Sequence, residues 1–169
     1  MIYSIDIYDK SVLQEDRIKI FQGSQADEAF LKHICGQISP LDIIIDDGSH
    51  MVDHVLISLK TLFPFLREGG IYVIEDLATS YWPQYGGNSE DLNDQSTSMN
   101  FLKSLIDGLN YREFLKTDYA PSYYDRNIVS MHFYHNLIFI YKGKNEDPGI
   151  VDDPNWLENL RDYRKADTL

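Results

Sequence analysis

Residues 41–50 read Leu-Asp-Ile-Ile-Ile-Asp-Asp-Gly-Ser-His, and residues 71–76 read Ile-Tyr-Val-Ile-Glu-Asp. Each is a short run rich in β-branched residues that stops on a pair of acids. A continuous apolar run of this length, bounded by turn residues, fits a buried strand of a parallel sheet. Between the two, Val52, Val55, Leu56, Leu59, Leu62 and Phe63 recur at the i, i+3, i+4, i+7 spacing of one helical face, which predicts a helix over 51–66 ended by Gly69-Gly70. Strand, helix, strand is the unit of an α/β domain with a mainly parallel sheet. In such sheets ligands gather beyond the carboxyl ends of the strands. The residues to weigh are therefore Asp46, Asp47, His50, Glu75 and Asp76.

The same alternation extends outward. Residues 2–8 alternate apolar and polar and predict a strand, as do residues 17–21, which stop at Gln22-Gly23-Ser24. Residues 26–34 predict a helix with Ala26, Phe30 and Ile34 on one face, followed by a turn over 36–40. Downstream, residues 78–97 form a long polar and aromatic stretch with Pro83, Gly86 and Gly87, a length of loop that usually serves a function. Residues 101–109 predict a helix and 118–127 a Tyr-rich loop. Strands over 128–133 and 137–141, around His135-Asn136, predict an antiparallel hairpin. The chain thus divides into an α/β domain over 1–143 and an acidic tail over 144–169, with a short helix over 154–164.

Composition narrows the function. The 169 residues suit one domain. Lys plus Arg number 15 against 27 Asp plus Glu, a net charge of -12. Such a chain repels phosphate backbones and anionic lipid surfaces, so neither nucleic acid nor membrane is an expected partner. Cys35 is the single cysteine. It leaves no intrachain disulfide, in keeping with a reducing, cytoplasmic setting. No apolar run approaches the roughly 18 residues of a membrane span. The first ten residues carry acids and no basic segment, unlike a signal peptide.

Three predicted strands end in acids: Asp6, Asp46-Asp47 and Glu75-Asp76. Collecting carboxylates at one sheet edge is costly unless a cation or a hydrogen-bonding ligand compensates. Oxygen-only sites favour hard divalent ions such as magnesium or calcium. The competing reading is a set of solvated loop acids. Asp6, at a strand end, is also placed to hold ribose hydroxyls. His50 suits a general base, or is simply a residue at a helix start. His54 follows one turn later, but His50-Met51-Val52-Asp53-His54 lacks the glutamate of a zinc-binding helix, so a role behind the site residues or on the substrate side is the better reading. Tyr81, Trp82 and Tyr85 suit a sugar or flat ring, or fasten their own loop to the core. His33, His132 and His135 read as structural.

The segments LDIIIDDGSHMVDHVLISLKTLFPFLREGGIYVIEDLATSYWP and IYSIDIYDK…RIKIFQGSQAD resemble the class I S-adenosylmethionine-dependent O-methyltransferases that modify sugars of macrolide antibiotics. This is the macrocin and mycinamicin methyltransferase family, which extends to rhamnosyl O-methyltransferases and cephalosporin-hydroxylase-like proteins. The resemblance implies a magnesium-dependent sugar O-methyltransferase acting on a glycosylated natural product. Asp47, Glu75 and Asp76 would be the magnesium ligands and His50 the base on the sugar hydroxyl. Asp6 would hold the ribose of the methyl donor. Gln22, Ser24, Gln25 and Asp27 would line its adenine end, and Asp46 would lie beside it. The loop with Tyr81 and Trp82 would cover the substrate, with His54 near it.

The resemblance also implies a departure. The chain starts at the family's second strand, and the central first strand with its Gly-rich turn has no counterpart; no G-x-G-x-x-G occurs. The expected fold is a Rossmann-like sheet with a one-strand gap, retaining the metal carboxylates and binding the donor weakly. The chain would then be a fragment, take the strand from a second chain, or pair its flanking strands directly. An unfilled sheet and exposed aromatics favour a homo-oligomer. A non-catalytic sugar- or partner-binding module and a different metal-dependent enzyme, such as a hydrolase or hydroxylase, are the competing functions.

Overall fold

The structure, a computed structural model, describes residues 1–158. Strand β1 (Ile2–Asp6) pairs in parallel with β2 (Ile18–Gln22), Asp6 lying opposite Gln22. Helix α1 (Glu28–Ile38) follows, its first turn capped by the Asp27 carboxylate, which accepts from the Phe30 N–H at 3.0 Å. Strand β3 (Leu41–Asp46), helix α2 (Val52–Leu62) and strand β4 (Leu66–Ile74) form the βαβ unit read from the sequence, with β3 and β4 parallel. Helix α3 (Ser98–Gly108) and the short α4 (Tyr123–Asn127) lead to the hairpin of β5 (Ile128–Tyr134) and β6 (Leu137–Lys142). The larger sheet has the order β3-β4-β6-β5, and β1-β2 form a separate sheet. Two ladders are parallel and two antiparallel.

Strands β1 and β3, each at an edge of its own sheet, do not pair among the described residues. The expected alternative in which these two strands pair directly is thus not seen among the described residues. The sheets are joined instead through the helical layer, where α1 packs on α2, and through loops beyond their carboxyl ends. Ile44, Tyr72, Ile74, Ile138 and Ile140 lie on the sheet face that packs beneath α2 and α3 and are buried. The strand over 41–45 is not buried on both faces as its composition predicts. Successive side chains alternate, and Ile43 and Ile45, on the other face, are 58% and 61% exposed.

The remaining differences have local causes. The 51–66 helix ends at Leu62 because Pro64 cannot donate the next hydrogen bond. The chain passes through one 3-10 turn and starts β4 at Leu66. Gly69-Gly70 therefore lies inside a strand, at a register shift where Gly69 takes φ +76°. Lys142, buried at the end of β6, donates Nζ hydrogen bonds to the carbonyls of Phe63, Pro64 and Leu66 and so ties down the turn between α2 and β4. Helix α1 runs through Gly36 and stops before Pro40, the usual effect of a following proline.

The 78–97 stretch is ordered by 3-10 turns over Leu77–Tyr81 and Pro83–Tyr85 and by ties back to Ser80. The Ser80 carbonyl accepts from Asn88 N–H, and its hydroxyl accepts from Met99 N–H. A Cβ on Gly87 would lie 2.5 Å from the Ser80 backbone, so only glycine fits that approach. Within the Tyr-rich loop, Ser122 and Asp125 form a capping box that starts α4. The 154–164 helix begins at Trp156, and its part beyond residue 158 lies outside the described residues. No helix among the described residues is long and apolar enough to cross a membrane.

Candidate functional site

The carboxyl ends of the strands converge as the α/β reading requires. Asp6 and Gln22 sit side by side at the ends of β1 and β2, and the turn after β2 carries Ser24, Gln25 and Asp27. Several of these side chains are engaged locally. The Asp6 carboxylate accepts from Tyr8 N–H at 2.8 Å, Gln22 Nε2 donates to the Ile7 carbonyl at 3.4 Å, and Ser24 Oγ accepts from Ala26 N–H at 3.1 Å.

Gln25 reaches across to the other sheet. Its Nε2 donates to Asp46 Oδ1 at 2.9 Å, and its Oε1 accepts from Ser49 N–H at 2.6 Å. Asp46 is buried at the end of β3, where its second oxygen accepts from the Tyr72 hydroxyl at 3.4 Å; that hydroxyl lies 2.9 Å from Ser58 Oγ. Burial pushes the Asp46 carboxyl up, against the pull of its hydrogen bonds to Ser58, Gln25 and Tyr72. Burial and, after it, the Asp46 charge hold the Tyr72 phenol well above its ordinary range.

The second half of the site follows β3 and β4. One ligand-type atom each from Asp47, His50 and Asp76 falls within 4.8 Å of the others. His50 Nε2 lies 3.6 Å from Asp76 Oδ2 and 4.0 Å from Asp47 Oδ1. Both carboxylates are exposed and the imidazole is half-buried, an open arrangement that a hydrated cation can enter. The two carboxylates offer the oxygen ligands that suit a hard divalent ion, with the imidazole beside them. Glu75, half-buried beside Asp76, is not in the group; its N–H donates to the Asp46 carbonyl at 3.0 Å. His54 faces the turn, with Nδ1 2.8 Å from Ser49 Oγ. Trp82 is exposed, its ring tilted 55° to that of Tyr85 at 5.9 Å between centroids, while Tyr81 is half-buried at the end of its 3-10 turn.

Backbone conformation sets this half apart. Among the described residues, the non-glycines at positive φ are His50 (58°), Asp76 (52°) and Asn136 (64°). Such residues cost on the order of 1–3 kcal/mol each and concentrate at functional sites. They meet here: Asn136, in the β5–β6 turn, donates Nδ2 to Asp76 Oδ1 at 2.7 Å. Asn136, Ser49, Ser58 and Tyr72 were not singled out by the sequence reading. Tyr72 had one visible signal, a phenol inside an aliphatic strand run.

No family model matches the chain. It is 48% identical to the mycinamicin VI 2''-O-methyltransferase of Micromonospora griseorubida over 92% of its own length and 39% of the relative's. It is 46% identical to the demethylmacrocin O-methyltransferase of Streptomyces fradiae, over 93% of the chain and 39% of that protein. Its structure matches that of MycE methyltransferase from the mycinamycin biosynthetic pathway, in complex with Mg and SAH, at a TM-score of 0.84 and 48% identity. The match covers 88% of this chain and 38% of that one. A further MycE structure, with Mg, SAH and mycinamycin VI, matches at the same TM-score over 94% of this chain and 42% of that one. The chain thus spans about two fifths of the length of these relatives. By sequence and by fold, it is a homologue of the sugar O-methyltransferases of macrolide and tetracenomycin pathways.

Proposed function

We propose that the chain carries the metal and acceptor side of an S-adenosylmethionine- and magnesium-dependent O-methyltransferase acting on a sugar hydroxyl of a glycosylated natural product. The observation that carries this reading is the meeting of Asp47, His50 and Asp76 beyond β3 and β4, in a chain that follows the MycE fold. Asp47 and Asp76, with Glu75 adjacent, would hold the magnesium ion. Bound there, the ion supplies positive charge that lowers the pKa of a nearby sugar hydroxyl. His50 would take the hydroxyl proton on Nε2, with the two carboxylates steadying the imidazolium that results. Asp6 and the turn from Gln22 to Asp27 would hold the ribose and adenine of the donor, and Asp46 would border it. Tyr81 and Trp82 offer aromatic surface to the sugar, and His54 lines the same turn. The small-molecule glycoside is the partner of this reading.

Titrating magnesium into the 169-residue chain tests it. The wild type gives a saturable heat and Asp47→Ala does not; identical heats for the two remove the metal site. The unpaired edges of β1 and β3 favour a second reading, in which the chain binds a glycoside and a cation without transferring a methyl group. Micromolar binding of S-adenosylmethionine by the same chain decides against that second reading.

A further inference from the structure

The hairpin turn at Asn136 touches the chain that follows β4 through three separate groups. Its carbonyl accepts from Leu77 N–H at 3.2 Å, its Oδ1 accepts from Ala78 N–H at 2.5 Å, and its Nδ2 donates to Asp76 Oδ1 at 2.7 Å. Two consecutive backbone donors and one carboxylate oxygen are thereby fixed from a point 60 residues away in sequence. Asp76 sits at φ 52°, a left-handed conformation that costs a non-glycine residue energy and that these bonds help to offset. With Oδ1 committed to the amide, Oδ2 is the oxygen that faces His50 Nε2, at 3.6 Å.

We infer that Asn136 is a positioning residue: it holds the left-handed turn at Asp76 and turns that carboxylate toward the cation site. The inference rests on the metal reading above. The chemistry selects the residue type. A side-chain amide carries its acceptor and its donor on separate atoms, so it accepts from the Ala78 N–H on Oδ1 while donating to the Asp76 carboxylate from Nδ2. Asparagine is also among the few non-glycine residues that tolerate positive φ. Aspartate at this position keeps the turn and the bond from Ala78, but sets a second negative charge against Asp76. Glycine keeps the backbone conformation and removes both side-chain bonds.

The test is magnesium titration of the 169-residue chain by calorimetry, with thermal melting of each variant by circular dichroism. Asn136→Gly should weaken magnesium binding by roughly tenfold or more, the usual effect of removing a group that orients a metal ligand, while melting shifts little. If Asn136→Gly melts markedly earlier, Asn136→Asp decides, because it keeps the turn: weakened binding supports the role, and unchanged or tighter binding overturns it. Unchanged affinity in a folded Asn136→Gly, with binding lost in Asp47→Ala, also overturns it and leaves the metal reading intact. Absence of any magnesium binding by the wild type removes the metal reading and the role of Asn136 with it.

Discussion

Gln25 is the perturbation that best separates two accounts of the site. The resemblance assigns it to the adenine end of the donor, whereas its amide is already bonded at both ends, to Asp46 Oδ1 and Ser49 N–H. It is the side-chain link between the turn after β2 and the turn after β3, across sheets that do not pair. It also lies where Gly48 leaves room: a Cβ on Gly48 would fall 1.9 Å from Gln25 Oε1. Truncation to alanine removes one bond to a buried carboxylate, worth about 1.5–3 kcal/mol, and one to a backbone amide, worth about 0.5–1.5 kcal/mol. Water reaches the exposed Ser49 N–H and recovers part of the second term. The expected loss for Gln25→Ala is about 2–3 kcal/mol. For a chain of this size that is a fall in melting temperature of roughly 4–12 °C. Urea unfolding followed by circular dichroism measures the loss directly. A loss below about 0.5 kcal/mol, with the affinity for SAH lowered, would refute the clamp and return Gln25 to the donor.

Two further outcomes follow from the same structure. Lys142→Met leaves the carbonyls of Phe63, Pro64 and Leu66 without their buried donor; a net loss of about 2–4 kcal/mol is expected, after allowing for the relief of desolvating the ammonium. An unchanged urea midpoint would show that other donors satisfy the carbonyls of that turn. Hydrogen bonds from Ser96 and Asn88 hold the Asp94 carboxyl down at about 2, against 3.8 unfolded. Its contribution is therefore present above pH 3.8 and lost as pH falls through about 2, so the stability gap between wild type and Asp94→Asn should close on acidification. A gap constant with pH would show that the carboxylate charge plays no part in ordering that loop.

The βαβ core was legible because its signals are local: the apolar spacing of α2 and the β-branched runs of β3 and β4 depend on neighbours a few residues apart. Element ends were less so. Pro64 is visible in the sequence, but the partner of the turn that follows the helix is Lys142, 78 residues from Pro64, and a lysine closing an apolar strand reads as a solvent-facing end. The burial of β3 was overestimated for a related reason. Composition reports what a strand can tolerate on each face, and the exposure of Ile43 and Ile45 depends on which elements actually cover that face. The internal order of the loop over 78–97 was not legible because it comes from single tight contacts, such as Gly87 on the Ser80 backbone, that leave no periodic trace.

The candidate site divides along the same line. Acids at three strand ends are a sequence pattern, and topology alone brings strand ends together. Which acids face one another is a matter of backbone angles. In a regular strand Glu75 and Asp76 would point to opposite faces. The left-handed turn at Asp76 breaks that alternation, and the structure groups Asp76 with Asp47 and His50 while Glu75 stays outside. His50 and Asp76 are of types that take positive φ more readily than most non-glycines, but the type alone does not say which His or Asp does so. The support for Asp76 comes from Asn136, whose place in a hairpin turn gave it an ordinary structural explanation. Strain borne by non-glycine residues, converging from three loops distant in sequence, persists only where tertiary contacts hold it. That convergence, more than the count of carboxylates, distinguishes this cluster from the solvated acids expected of a chain with a net charge of -12.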